Sequence, residues 1–306
     1  MPHDIDSLAV IGGGVMGAGI ARVFAQGGVR VAVVEPDPAV RASLPERIAE
    51  GLESSLRSSL LDRVRVVETL QEGVAEVGMV IEAGPERLAV KQQIFAELSS
   101  TTGGDVILAS NTSAIPIHEI ARDVENLERV IGTHFWNPPT MIRLVEVVRS
   151  SGSADWALNA ATEVLRRVGL SPVRVESDIP GFIGNRLQHA LKREAIALVA
   201  AGICSAETID TVVREGFGAR LGIVGPLEQS DLSGTDLTLA IHEVLMPHLD
   251  NTPVAHPYLR DMVARGDLGA KTGRGFREWP PGRADRRRAE IAAALAALPA
   301  SKKSVE

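Results

Sequence analysis

The chain has 306 residues, 45% of them apolar and 23% charged, and 32 Lys plus Arg against 39 Asp plus Glu give a net charge of −7. That composition describes a globular protein of one large or two ordinary domains and excludes a disordered or fibrous chain. Its mildly acidic balance excludes the concentrated basic surface that nucleic-acid binding needs, and one cysteine, Cys204, allows neither an internal disulfide nor a thiolate-rich metal site.

The opening MPHDIDS carries acids where a signal peptide needs a basic region and an apolar stretch. No run nears the roughly 18 apolar residues of a membrane span. A cytoplasmic protein is expected, with a small-molecule partner and neither nucleic acid nor membrane. Aromatics make up only 3%, so few rings are available for stacking on bases or sugars.

Taken in chain order, Leu8–Ile11, Val29–Glu35, Val64–Val67, Met79–Glu82, Val106–Ala109 and Val130–Thr133 read as strands. Ala-rich amphipathic segments such as Gly17–Gln26 and Glu86–Leu98 lie between them. Strands alternating with helices at this spacing need crossover connections, hence a parallel sheet. Runs such as VAVV and MVIEA are apolar on both faces, as strands covered on both sides should be. Val173–Val175 is the last strand, and Ile179-Pro180-Gly181 breaks the chain. Beyond it the pattern is helical: Phe182–Ala201, Ala206–Glu215, Leu227–Leu249 in pieces, and Asp285–Leu298 before a frayed Lys/Ser tail. The expected fold class is α/β, a Rossmann-type doubly wound, mostly parallel sheet (1–178) followed by an all-α C-terminal domain (179–306).

The first strand runs into Gly12-Gly13-Gly14-Val15-Met16-Gly17, which fits G-x-G-x-x-G. Gly12 permits the tight turn, Gly14 the approach of a pyrophosphate, and Gly17 the packing of the next helix on the strand. The helix N-terminus then faces the phosphates. A glycine turn that binds nothing has the same pattern, but here the second strand ends in Glu35, 18 positions beyond Gly17. A carboxylate there accepts both ribose hydroxyls and repels a 2′-phosphate, which favours NAD over NADP.

The sixth strand leads into His134-Phe135-Trp136-Asn137-Pro138-Pro139, and then comes Met141–Val148. If Met141–Val148 is a strand, Ile142, Leu144, Glu146 and Val148 share one face. A carboxylate on an apolar face is costly unless paired, and His134 across the turn is a suitable partner. Such a pair fixes the imidazole tautomer and suits a general base that takes a hydroxyl proton as hydride leaves the same carbon. Spacing leaves a second arrangement open, in which Glu146 pairs with Arg143 or Arg149 and His134 is a satisfied loop residue. The histidines show no i, i+4 ligand pair, so no metal is expected, and no G-x-S-x-G elbow occurs.

The blocks VIGGGVMGAGIARVFA, IEAGPERLAVKQQIFAEL, ASNTSAIPI, GTHFWNPPTMIRLVEVV, IPGFIGNRL and KTGRGF occur in the order seen in L-3-hydroxyacyl-CoA dehydrogenases, and the chain resembles that family from Leu8 to about Phe276. The resemblance implies His134 as catalytic base and Glu146 as its paired acid. It implies that Ser113 and Asn185 hold the substrate oxygens. On the cofactor side it implies Gly12, Gly14, Val15, Met16, Gly17 and Glu35, together with Glu86, Lys91, Asn111 and Lys271. It also implies a homodimer built through the helical half.

Two departures bear on the substrate. The segment Pro36–Arg63 is short and lacks the lysines that fatty-acid members carry there for the coenzyme A nucleotide. Its Arg41, Arg47, Arg57 and Arg63 are either phosphate ligands or a solvated helix face. The stretch EGFGARLGIVGPLEQSDLSGTDL looks closer to relatives that oxidise small polyols, carnitine-like or pyridine substrates without coenzyme A. Arg220 there is either a partner for a substrate carboxylate or a surface charge. Three readings follow. The first is an NAD-dependent oxidation of the secondary hydroxyl of an L-3-hydroxyacyl-CoA. The second is a coenzyme A-independent dehydrogenase of a small hydroxyacid, polyol or aldehyde. The third is a non-catalytic NAD-binding protein, expected to keep the glycines and lose the dyad.

Overall fold

A computed structural model describes residues 4–297, which fall into two compact units divided between Arg186 and Leu187. The expected Leu298 helix end and the Lys/Ser tail lie outside the described residues. The first unit is built on eight strands: β1 (Ser7–Ile11), β2 (Arg30–Val34), β3 (Val64–Val67), β4 (Met79–Glu82), β5 (Ile107–Ser110), β6 (Val130–Phe135), β7 (Leu144–Arg149) and β8 (Ser171–Val175). They form one sheet in the order β3-β2-β1-β4-β5-β6-β7-β8. The first six run parallel, β7 is antiparallel to β6, and β8 runs parallel to β7. Around the sheet lie α1 (Val15–Gln26), α2 (Pro38–Ile48), α3 (Ser54–Leu61), α4 (Leu70–Val74), α5 (Leu88–Thr101), α6 (Ile117–Ile120) and α7 (Asp155–Arg167). This is the expected Rossmann-type, mostly parallel α/β fold.

Period-two geometry divides the apolar strands between two cores. Leu8 and Val10 of β1 join one cluster with Phe24, Leu44 and Leu158, whereas Ala9 and Ile11 join the other with Phe95, Ile117 and Phe182. Each of the Val, Leu, Ile and Phe side chains contributes about 1.5–3 kcal/mol when fully buried. Both cores are needed because a parallel sheet exposes apolar residues on each face.

Several boundaries differ from the sequence reading. β7 starts at Leu144, because the N–H groups of Met141 and Ile142 both donate to the Pro138 carbonyl at 3.0 Å and hold that stretch in a turn. Ile142 therefore lies outside the strand. The helix expected from Phe182 begins at Gly184, since Gly181 (φ 76°) and Phe182 (φ 48°) are both left-handed. The last helix runs Arg283–Ala296. Between β2 and β3 the chain forms α2, whose first turn is capped by Asp37 accepting from the N–H groups of Ala39 and Val40, and then α3.

The second unit is helical: α8 (Gly184–Ala200, which starts just before the division), α9 (Ala206–Glu215), α10 (Gly218–Leu221), α11 (Pro226–Ser233), α12 (Thr235–Leu245), α13 (Pro257–Ala264) and α14 (Arg283–Ala296). None of α8 to α12 contains a buried residue, and Leu227, Leu232 and Val244 are each more than 70% exposed. Among the described residues no helix is long and apolar enough to cross a membrane.

Candidate active site

The C-terminal end of β1 opens the site. Gly12 has φ 106°, and a Cβ on Gly17 would stand 1.8 Å from the Gly12 carbonyl oxygen, so α1 can follow β1 this closely only with glycine at position 17. Gly14 caps α1 with no side-chain cap and no acid in the first turn, which leaves the amides of Val15, Met16 and Gly17 without an acceptor from a cap. A Cβ on Gly14 would meet nothing within 4 Å. This is a backbone cradle, open at its glycine and electropositive through the helix dipole, and it fits a pyrophosphate. At the end of β2, Glu35 accepts from the N–H of Gly13 at 2.8 Å and from the N–H of Asp37 at 2.9 Å. The carboxylate thus stands beside the loop, where the ribose of an adenosine belongs. The residues present fit NAD.

A polar network fills the ends of β4 and β5. Glu82, fully buried, receives Lys91 Nζ at 2.8 and 2.9 Å, Ser110 Oγ at 2.7 Å and the Gly84 N–H at 2.7 Å. Lys91 also approaches Glu86 at 3.4 Å. Glu86 accepts from Thr112 Oγ1 (2.7 Å) and from the N–H groups of Ser113 (2.9 Å) and Ala114 (3.2 Å). Burial works against its ionisation, but Thr112, Ser113 and Lys91 prevail and hold its carboxyl below the usual range. Asn111 Oδ1 accepts the N–H of Phe135 at 2.9 Å and ties β5 to the strand that bears the histidine.

His134 and Glu146 face each other across the antiparallel β6–β7 pair. Residues opposed in such a pair project on the same face. His134 Nδ1 lies 2.8 Å from Glu146 Oε2, and both side chains are buried. Glu146 Oε1 accepts from the N–H groups of Ile183 (2.9 Å) and Gly184 (3.0 Å). Burial alone would raise the Glu146 pKa, but hydrogen bonds from His134, Gly184 and Ile183 lower it. The ionised carboxylate only accepts, so Nδ1–H is the donor, and in the neutral imidazole the lone pair is then on Nε2. Among the described residues Nε2 has no hydrogen-bond partner. The rings of Trp136 and Phe182 flank the imidazole, with centroids at 5.6 and 5.7 Å. The arginines that could have taken Glu146 are engaged elsewhere: Arg143 Nε donates to the Gly169 carbonyl, and Arg149 pairs with Asp155 and Glu176.

Asn185 Nδ2 donates to the Ser113 carbonyl at 2.9 Å, which brings these two residues together at the start of α8. Lys271 belongs to the second unit, where it lines a cavity of about 700 Å³ with Ile196, Ile209, Met262 and Phe276. Arg220, also in that unit, is exposed and makes no side-chain hydrogen bond or ion pair among the described residues. No group of three or more His, Cys, Asp or Glu among the described residues is placed to hold a metal ion. Sequence reasoning missed Glu82, although a lone acid closing an apolar strand is the signal that marked Glu146. It also missed Thr112, Ser110 and the Ile183 and Gly184 amides.

Comparison with known proteins covers both units. Residues 7–179 match the NAD binding domain of 3-hydroxyacyl-CoA dehydrogenase, and residues 181–279 match the C-terminal domain of 3-hydroxyacyl-CoA dehydrogenase. The chain is 32% identical over 300 residues to 5-formyl-3-hydroxy-2-methylpyridine 4-carboxylate 5-dehydrogenase of Mesorhizobium japonicum, covering 96% of this chain and 97% of that one. It is 37% identical over 291 residues to a 3-hydroxybutyryl-CoA dehydrogenase of Mycobacterium tuberculosis, covering 90% and 99%. A solved structure of the pyridine carboxylate dehydrogenase, described as NAD+ dependent, superposes with a TM-score of 0.88 at 30% identity, over 96% of this chain and 97% of that one.

Proposed function

The chain belongs to the 3-hydroxyacyl-CoA dehydrogenase family and is an NAD-dependent oxidoreductase, and we propose that it oxidises the secondary hydroxyl of an L-3-hydroxyacyl-CoA, reversibly, through the His134–Glu146 dyad. The observation that carries this reading is the 2.8 Å contact between His134 Nδ1 and Glu146 Oε2, which leaves Nε2 without a partner. Nε2 takes the hydroxyl proton, and the imidazolium that forms is stabilised by Glu146 across the strand pair. NAD, when bound, accepts the hydride from the carbinol carbon. Asn185 and Ser113 orient the substrate oxygens, and Glu86, Lys91 and Asn111 are cofactor-side contacts. Val15 and Met16 offer backbone amides to the pyrophosphate, with Gly12, Gly14 and Gly17 making the room, and Glu35 holds the ribose.

A second reading, a coenzyme A-independent dehydrogenase of a small hydroxyacid, polyol or aldehyde, is supported by the segment between β2 and β3. It has no lysine, and its arginines are bound within the chain. Arg41 donates to the Glu35 and Pro36 carbonyls and to Glu68, Arg47 to the Gly13 carbonyl, Arg57 to Glu46, and Arg63 to Ser59. The relative from Mesorhizobium japonicum is likewise named for a pyridine carboxylate substrate. NADH absorbance with matched hydroxyacyl-CoA thioesters and free hydroxyacids separates the two: turnover of the thioesters alone supports the first, and of the free acids alone the second. His134→Gln should lose turnover by about 10³-fold with NAD affinity changed only a few-fold. Normal turnover in that variant sinks the dyad assignment.

The helical unit carries a dimer interface in this reading. Helices α8 to α12 have no buried residue of their own, so their Leu, Ile and Val side chains need cover from a second copy. Light scattering should give twice the 32.5 kDa chain mass at micromolar concentration, and a monomer mass refutes it.

A further inference from the structure

The turn before α8 is strained in a way the active-site chemistry has not yet used. Gly181 and Phe182 are successive left-handed residues, and Phe182 is not a glycine. A bulky side chain at such a φ is an outlier that persists only where its surroundings over-determine it. Here the Phe182 ring is fully buried in the second core and lies against the His134 imidazole. The Phe182 N–H donates to the Ile179 carbonyl at 3.0 Å and closes the turn. The next two amides, Ile183 and Gly184, converge on one oxygen of Glu146.

We propose that Phe182 is a positioning residue: its left-handed backbone aims the Ile183 and Gly184 N–H groups at Glu146 Oε1 and reserves Oε2 for His134. The proposal rests on the dyad reading above. The two amides at once satisfy a buried carboxylate and remove its freedom to rotate, so the imidazole has one orientation and one tautomer. Among the described residues no other charged group competes for Glu146. Its neighbour on β8 is Val173, and Arg174 on β8 is taken by Asp155, Glu176 and Asn159. Arg143, just before β7, and Arg149, at its end, are bound as described. Asp178, ahead of the turn, holds His118 at 2.9 Å.

The amides withdraw charge from the carboxylate, so their loss makes the dyad bind its proton more tightly. The test compares three variants of the whole enzyme. Phe182→Ala removes the ring and keeps a residue averse to the left-handed region, whereas Phe182→Gly removes the same ring and tolerates that region. Gly181→Ala strains the turn without a clash, since the atoms nearest its Cβ would be Arg186 Cγ and Asn185 Cβ at 3.6 Å and the Arg186 nitrogen at 3.9 Å. This third variant keeps the test alive where the core truncations fold poorly.

In Phe182→Ala and Gly181→Ala, kcat should fall about tenfold with KM for NAD unchanged. The acid limb of the kcat/KM profile should move up by about half a pH unit. Phe182→Gly should keep the wild-type limb, whatever its kcat, despite a lowered Tm. Wild-type profiles in all three overturn the proposal, and so do equal shifts in Phe182→Ala and Phe182→Gly, which would assign the effect to the ring. His134→Gln is run beside them. If it stays active, the dyad reading has failed; if it is inactive while the turn variants keep wild-type profiles, only the positioning role has failed.

Discussion

Lys91 Nζ lies 2.8 and 2.9 Å from the two carboxylate oxygens of Glu82, with neither side chain more than 1% exposed. A pair shut away from water in this way makes the loss of one partner far worse than the loss of both. Lys91→Met should therefore lower stability by about 3–5 kcal/mol in urea unfolding, because Glu82 is left buried without its cation. The double variant Lys91→Met with Glu82→Gln should regain much of that loss. No recovery in the double variant would show that the loss does not come from the stranded Glu82 charge.

Gly14 and Gly17 separate folding from cofactor binding. Gly17→Ala should fold poorly, since its Cβ collides with the Gly12 carbonyl at 1.8 Å. Gly14→Ala meets no atom of the chain, so its Tm should match the wild type. Its NAD affinity should fall about tenfold or more, a loss of 1.4 kcal/mol or greater, measured by fluorescence titration. Wild-type affinity in Gly14→Ala would move the pyrophosphate away from this loop.

Glu35 bears on cofactor choice. Its oxygens are held by the Gly13 and Asp37 amides, so the charge is fixed in place rather than free to swing away. Glu35→Ser should improve kcat/KM for NADP relative to NAD by about tenfold or more. An unchanged ratio would remove Glu35 from the ribose site.

Glu146→Gln keeps the shape of the dyad and removes its charge. Turnover at pH 7–8 should fall about a hundredfold or more. The lowered pKa of Glu146 also has a stability consequence. A carboxyl depressed in the folded state stabilises it above the unfolded value of about 4.3, and that stability is lost as pH falls through the folded value. Wild type should therefore lose stability below about pH 4.3 more steeply than Glu146→Gln. Parallel curves from pH 6 to pH 2 would contradict this.

The sheet, its alternation with helices and the glycine turn were legible because each is written in local spacing. VAVV and MVIEA show burial on both faces, and the dinucleotide motif sits between a strand and a helix. Glu146 was legible as an acid in an apolar strand. Glu82 bears the same mark, but its cation Lys91 sits nine positions on along α5, a spacing that no strand rule connects. The two amides on Glu146 were illegible because backbone donors leave no trace in residue type. Phe182 gives no hint of a left-handed φ, which is why α8 was expected two residues too early.

Every contact described for the dyad, from the histidine to the last amide on Glu146, is complete before Arg186. Substitutions beyond that point therefore act on the proton-transfer pair only indirectly. The base and its anchoring can therefore be probed by substitution within the first unit alone, with every residue of the helical half left as it is.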